Sequence, residues 1–213
     1  MRKSALTLGW GMISLAGLAA SASAAPTDGW TQSSWTYTMH KPYNLNLSDR
    51  FKYSGGVWYT WVYKTDQCFQ SPCSSTDGKR TELRWKNDYT SGRRMWDGDM
   101  YLVSGTNEAT VQQVFGAVGS STTSQIRAFT DSSGTYKHYG STTLATGVNN
   151  TWINMKVAHD TSANNVKYYV NNSLKYTVAD RGDTTHYFKN GVYVGSISSS
   201  RSECRFRNLK QWK

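Results

Sequence analysis

The chain has 213 residues, with 24 basic against 14 acidic side chains and a formal net charge of +10. That length suits one domain with a sizeable core, and a basic balance points to an anionic partner. The chain is rich in Tyr, Trp, Ser, Thr and Gly and shows no long stretch of helical period, so a helical bundle or coiled coil is excluded and an all-β domain is expected.

Met1-Arg2-Lys3, an Ala/Leu/Gly-rich run and Ala22-Ser23-Ala24 have the form of a secretory signal peptide. Cleavage is expected after Ala24, with Ala22 as second choice. Residues 1–24 are then leader and 25–213 one secreted, monomeric domain. Losing Arg2 and Lys3 lowers the formal net charge from +10 to +8. The apolar run is too short and too interrupted to span a bilayer, and no later segment competes, so no membrane partner is expected. The chain carries neither a basic helix nor a Lys/Arg tract, so nucleic acid is not expected either. An acidic polysaccharide suits an exported basic protein better.

In chain order, Ala25 to Ser34 reads as a loose leader. Trp35 to Tyr43 and Phe51 to Tyr63 read as strands, the second broken at Ser54-Gly55-Gly56. Cys68 to Lys79 is a loop of turn residues. An oxidised Cys68–Cys73 pair across Phe69-Gln70-Ser71-Pro72 is the preferred pairing, which leaves Cys204 a buried thiol. Arg80 to Trp85, Met95 to Val103, Ala109 to Val118, Gln125 to Thr130 and Thr135 to Tyr139 follow as strands. Then come Trp152 to His159, Val166 to Val170 and Ser173 to Val178, the last two joined by a tight turn at Asn171-Asn172. His186 to Gly195 and Glu203 to Trp212 close the domain. About a dozen short strands in one domain predict two stacked antiparallel sheets, a jelly-roll sandwich.

Three of these strands carry chemistry. Alternate side chains of a strand share a face, so Tyr187, Lys189 and Tyr193 point one way and Phe188, Val192 and Val194 the other. In Arg80-Thr81-Glu82-Leu83-Arg84, the two arginines flank Glu82 on one face, which reads as a carboxylate receptor with parallel guanidiniums. Gln113 and Phe115 share a face of the next such strand, and Gln125 and Arg127 of another. Three cysteines in no ligand spacing, and no other ligand cluster, imply neither metal nor cofactor.

These segments resemble polysaccharide lyase family 7 and its relatives, the alginate-lyase-type jelly rolls. That pattern runs Arg-x-Glu-x-Arg, then Gln-Ile/Val-His, then Tyr-Phe-Lys-x-Gly-Val-Tyr. Here it is met by Arg80 to Arg84, Gln113-Val114-Phe115 and Tyr187 to Tyr193 in the same order, and the likeness runs from about Lys41 to the C-terminus. The chain is also similar to glucuronan lyases and to plant citrate-binding proteins, whose role is binding rather than cleavage. The resemblance implies Tyr187 as catalytic tyrosine and Arg80, Arg84 and Gln113 as the set that neutralises a uronate carboxylate. Lys189, Glu82, Tyr193, Arg127 and His40 are then substrate-binding. Two departures stand out: the motif histidine is Phe115, and Val194-Gly195 replaces the usual Asn-Gln.

β-Elimination of a 4-linked uronate needs a neutralised C6 carboxylate, a base for the C5 proton and an acid for O4. For tyrosine to act as base at about pH 8, its pKa must fall by roughly 2 units, or about 2.7 kcal/mol. A cation about 4 Å away supplies on the order of 4 kcal/mol at an effective dielectric of about 20, so one Arg or Lys is enough. One tyrosine can serve both roles for mannuronate or glucuronate, where C5–H and O4 lie on the same side. In guluronate they are anti, so base and acid must come from opposite faces, and Phe115 offers no lone pair to be the second group. Among the histidines, His159 reads as a satisfied core-edge residue, His186 points away from Tyr187, and His138 sits near a turn. His40 is the alternative base. The resulting expectation is a secreted lyase of mannuronate- or glucuronate-containing polysaccharide; the alternative is a non-catalytic binder of acidic glycans or small carboxylates.

Overall fold

The computed structural model describes residues 24–74, 78–131, 133–182, 184–195 and 199–213. The expected leader, residues 1–24, lies outside the described residues except for Ala24. The strands are β1 (Gln32–Ser33), β2 (Tyr37–His40), β3 (Phe51–Ser54), β4 (Val57–Tyr63), β5 (Lys79–Trp85), β6 (Arg93–Leu102), β7 (Ala109–Ala117) and β8 (Ser120–Phe129). They continue with β9 (Thr135–His138), β10 (Thr142–Thr146), β11 (Trp152–Asp160), β12 (Asn165–Val170), β13 (Ser173–Ala179), β14 (Tyr187–Val194) and β15 (Arg201–Trp212).

They form two antiparallel sheets. One runs β13-β12-β11-β6-β15-β4-β3 with β1 added to β15; the other runs β10-β9-β8-β7-β14-β5-β2. This is the jelly-roll sandwich the alternation predicts. The sheets pack through their apolar faces: Leu83, Trp85, Val114, Ile126, Phe188 and Val192 from the second meet Trp96, Met100, Leu102, Val157 and Phe206 from the first. Burying each such side chain contributes about 1.5–3 kcal/mol, so the inward face fixes the register and the outward face is left for chemistry.

Cys68 and Cys73 are joined, and Cys204 is free and buried. Asn171 and Asn172 both take positive φ, 47° and 67°, as a two-residue hairpin turn requires.

Three expectations are corrected. The supposed loose leader contains β1, and Thr31 and Lys213 exchange backbone hydrogen bonds, so the N-terminal segment is tied to the C-terminal strand. β8 begins at Ser120, five residues before the expected start at Gln125, because Thr123 and Ser124 are small polar residues that the sheet buries as it does apolar ones. β10 was not expected; its Thr-rich segment pairs with β9 at a bulge that breaks the alternation.

Candidate active site

β14 lies between β5 and β7, so three motifs far apart in sequence become neighbours on one sheet. The register aligns Arg84, Lys189, Gln113 and Gln125 in one row across β5, β14, β7 and β8. Tyr187 sits opposite Phe115, and Tyr193 opposite Arg80. Their outward faces form a cleft of about 590 Å³, a volume within the rough 300–1,000 Å³ of small-ligand sites. Arg80, Gln113, Tyr187, Lys189, Tyr193 and His40 all line it.

Two buried polar groups look into this space. Lys189 is 2% exposed and Gln113 4%, and the Gln113 Oε1 makes no hydrogen bond among the described residues. A buried acceptor without a partner costs roughly 1–3 kcal/mol, so the site is built at the expense of stability. Lys189 Nζ lies 3.7 Å from Glu82 Oε2, and Arg80 Nη1 3.8 Å from the same oxygen. Burial depresses the Lys189 ammonium and Glu82 opposes that fall.

Other residues are not where sequence reasoning placed them. Glu82 is 1% exposed and lies beneath the cleft as counter-ion to Arg80 and Lys189, out of reach as a lining residue. Arg84 does not share it. Its guanidinium donates to both oxygens of Asp88 at 2.6 Å and stacks 3.8 Å from the Tyr187 ring centroid. The expected pair of parallel guanidiniums around one carboxylate is therefore split, because Asp88 in the loop after β5 offers a closer partner. Arg127 is on the right face but outside the cleft, donating to the Glu108 carbonyl and lying over Phe129.

Tyr187 is held between Arg84 and Phe115, whose ring stacks at 4.8 Å and 22°. Lys189 Nζ lies 4.3 Å from the Phe115 centroid. Phe115 thus takes the motif histidine's place as an apolar wall that still attracts a cation. The Tyr187 phenol is raised, not lowered: burial pushes it up, Arg84 pulls it back, and Asp88 and Glu82 push up again. The expectation that one cation suffices fails because half-burial and two carboxylates outweigh the guanidinium.

His40 stacks on Phe69 at 4.3 Å in the cleft wall. His138 turns into the core, bonded to Ser124, and burial lowers it to about 4. His159 is satisfied by Tyr89 and Asp180, and His186 Nδ1 donates to the Gly116 carbonyl, away from Tyr187. Sequence reasoning missed Phe69, Gln70 and Tyr139 as lining residues. Phe69 was findable, since a disulfide closed over four residues must project some of them. Tyr139 was not: it takes φ +49°, rare for an aromatic residue, and so leaves the strand period. Among the described residues no His, Cys, Asp and Glu cluster could hold a metal ion, and no helix is long and apolar enough to cross a membrane.

A jelly roll whose open sheet face carries a cation-lined cleft with a central tyrosine is an alginate-lyase-type fold. An alginate lyase of polysaccharide lyase family 7 superposes with a TM-score of 0.64 at 18% identity, over 90% of this chain and 100% of that one. The alginate lyase of Corynebacterium sp. gives 0.62 at 16%, over 79% and 83%. That of Zobellia galactanivorans gives 0.59 at 16%, over 85% and 94%. Within this class the chain belongs to the family of the citrate-binding protein of Hevea brasiliensis, to which it is 38% identical over 196 residues, 90% of this chain and 80% of that protein. No family model matches the chain.

Proposed function

We propose that the protein is a secreted polysaccharide lyase that cleaves a 4-linked acidic polysaccharide by β-elimination. Its leader would be removed after Ala24, leaving residues 25–213 as a monomeric domain. The observation that carries this reading is Tyr187 standing in one cleft with Lys189, Gln113 and Arg80. Lys189, Arg80 and the Gln113 amide meet the uronate carboxylate and stabilise the enolate that forms when C5 loses its proton. Tyr187, once ionised, takes that proton and returns it to O4.

Arg84 joins when a substrate carboxylate displaces Asp88. Asp88 is 38% exposed at its side chain, and an exposed pair of this kind is worth only about 0.2–1 kcal/mol, so the exchange costs little. With Phe115 as a wall, the reading favours mannuronate or glucuronate over guluronate. His40 lies in the same cleft as the alternative base.

A second reading is binding without turnover, and it rests on the relative named a citrate-binding protein. Arg80, Lys189 and Gln113 suit a small polycarboxylate as well as a uronate. Elimination leaves a C4=C5 double bond conjugated to the carboxylate, which absorbs in the near ultraviolet. Absorbance should rise on polymannuronate or glucuronan and hardly on polyguluronate, and Tyr187→Phe should abolish the rise while leaving binding nearly intact. Phe115→His should raise activity on guluronate more than on mannuronate. Binding of polymer or citrate with no absorbance change would establish the second reading, and full turnover by Tyr187→Phe would move the base to His40.

A further inference from the structure

The eight-stranded sheet has its own solvent face, opposite the cleft. There Lys52 pairs in register with Tyr59, Tyr59 with Arg205, Arg205 with Tyr101 and Tyr101 with Trp152. One residue from each of β3, β4, β15, β6 and β11 thus forms a straight row, roughly 19 Å long at about 4.8 Å per strand. Cations and rings touch along it. Arg205 lies 5.1 Å from the Tyr59 ring and 5.2 Å from that of Tyr101, Lys52 5.8 Å from Tyr59, and Tyr101 5.2 Å from Trp152. Arg207 covers Trp152 at 4.3 Å.

None of these rings builds the core. Thr60, Val62, Cys204, Phe206, Met100 and Leu102, their strand neighbours, do that from the inner face and are fully buried. Cross-strand pairs are worth about 0.2–1 kcal/mol each, a sheet-stabilising role that does not call for one unbroken aromatic and cationic line on the water side. Lys52 and Lys210 are exposed and make no ion pair among the described residues. Glu203, which neutralises Arg201 and Arg205, is 3% exposed, so the face shows solvent mainly positive charge.

From this row we infer a second binding surface that takes an extended acidic polysaccharide. Guanidinium and ammonium groups meet its carboxylates, and the ring edges and phenols meet its sugar rings. Beside Trp152 the face becomes a shallow groove with Asp97, Asp99, Asn154 and Asn208, groups that exchange hydrogen bonds with hydroxyls. Charge spacing favours the polysaccharide over nucleic acid: a duplex carries one phosphate per roughly 1.7 Å and would set several against Asp97 and Asp99, whereas a polyuronate carries one carboxylate per sugar, which the spaced cations of the row can meet while its hydroxyls face the groove. The surface lies on the sheet opposite the cleft and does not depend on turnover there.

The test uses electrophoresis of the whole protein through gels holding polyglucuronate, a neutral glucan or DNA. A Tyr187→Phe background keeps the polymer intact. Lys52→Ser, Arg205→Gln and Trp152→Ser should each weaken retardation by polyglucuronate roughly fivefold, with binding of a uronate trimer in the cleft unchanged. Lys52 and Trp152 stand at the ends of the row, so those two variants decide the matter should Arg205→Gln fail to fold. Retardation unchanged in both, or absent from the unsubstituted chain, would overturn the inference. So would retardation by DNA that the substitutions relieve while polyglucuronate has no effect.

Discussion

Asp88 governs two groups at once. It holds Arg84 on the ring of Tyr187, and its charge helps to keep that phenol protonated. If Tyr187 must be ionised to act, kcat/KM rises with pH through the phenol's pKa, which burial has raised. Removing the negative charge lowers that pKa and frees Arg84 for the substrate. Asp88→Asn should therefore move the rising limb to lower pH and lower KM. A pH profile of kcat/KM from about pH 6 to pH 11 measures it, and a limb that stays in place would show that Asp88 does not reach the tyrosine. The raised phenol also explains why half-burial matters more here than the number of nearby cations.

At the scale of elements, β14 is shaped by Gly191. Its φ is +155°, and a Cβ there would stand 2.2 Å from the Thr81 carbonyl oxygen and 2.5 Å from the Glu82 Cα, both backbone atoms that cannot step aside. The bulge between Asn190 and Tyr193 against β7 follows from this close approach. Gly191→Ala should cost on the order of 3 kcal/mol and shift Lys189 relative to Gln113, whereas Gly195→Ala, with nothing within 4 Å, should lie within about 0.5 kcal/mol of the unsubstituted protein. Urea midpoints compare the two, and equal midpoints would refute the argument. The period-2 alternation in β5 and β14 made the outward face legible from sequence, because one slip of register would turn Lys189 into the apolar core and Phe188 toward the cleft. The Asn-Asn turn was legible for a similar reason, since few residues accept positive φ. Arg84's partner was not, because alternation says which face a side chain takes and nothing about a carboxylate in the loop that follows. β1 escaped notice because a two-residue strand owes its existence to a neighbour's open edge, which no local pattern announces, and β10 because its bulge against β9 breaks the alternation.

Across the whole molecule, His138 and His159 are two of the three histidines buried away from the cleft. His138 lies among Tyr139, Tyr168 and Tyr176 with Ser124 on its Nε2, and burial, aided by Arg181, lowers it from 6.5 to about 4. His159 is lowered by burial too, although Asp180 partly restores it. Both are depressed in the native state, so the sign is clear. The unfolded chain takes up protons as pH falls through 6.5, while native His138 resists until about 4. The contribution of His138 to stability is then complete above 6.5 and is lost progressively toward 4. The cleft tyrosine pulls the same way over this range, since it gains activity only as pH rises, so acid weakens fold and site together. Urea midpoints measured across this range should fall with pH. His138→Gln, which retains a donor for Ser124 but cannot titrate, should make that fall shallower, though lower in absolute stability at neutral pH. An unchanged slope would mean that the acid sensitivity arises elsewhere, with His159 and its bond to Asp180 the next place to substitute.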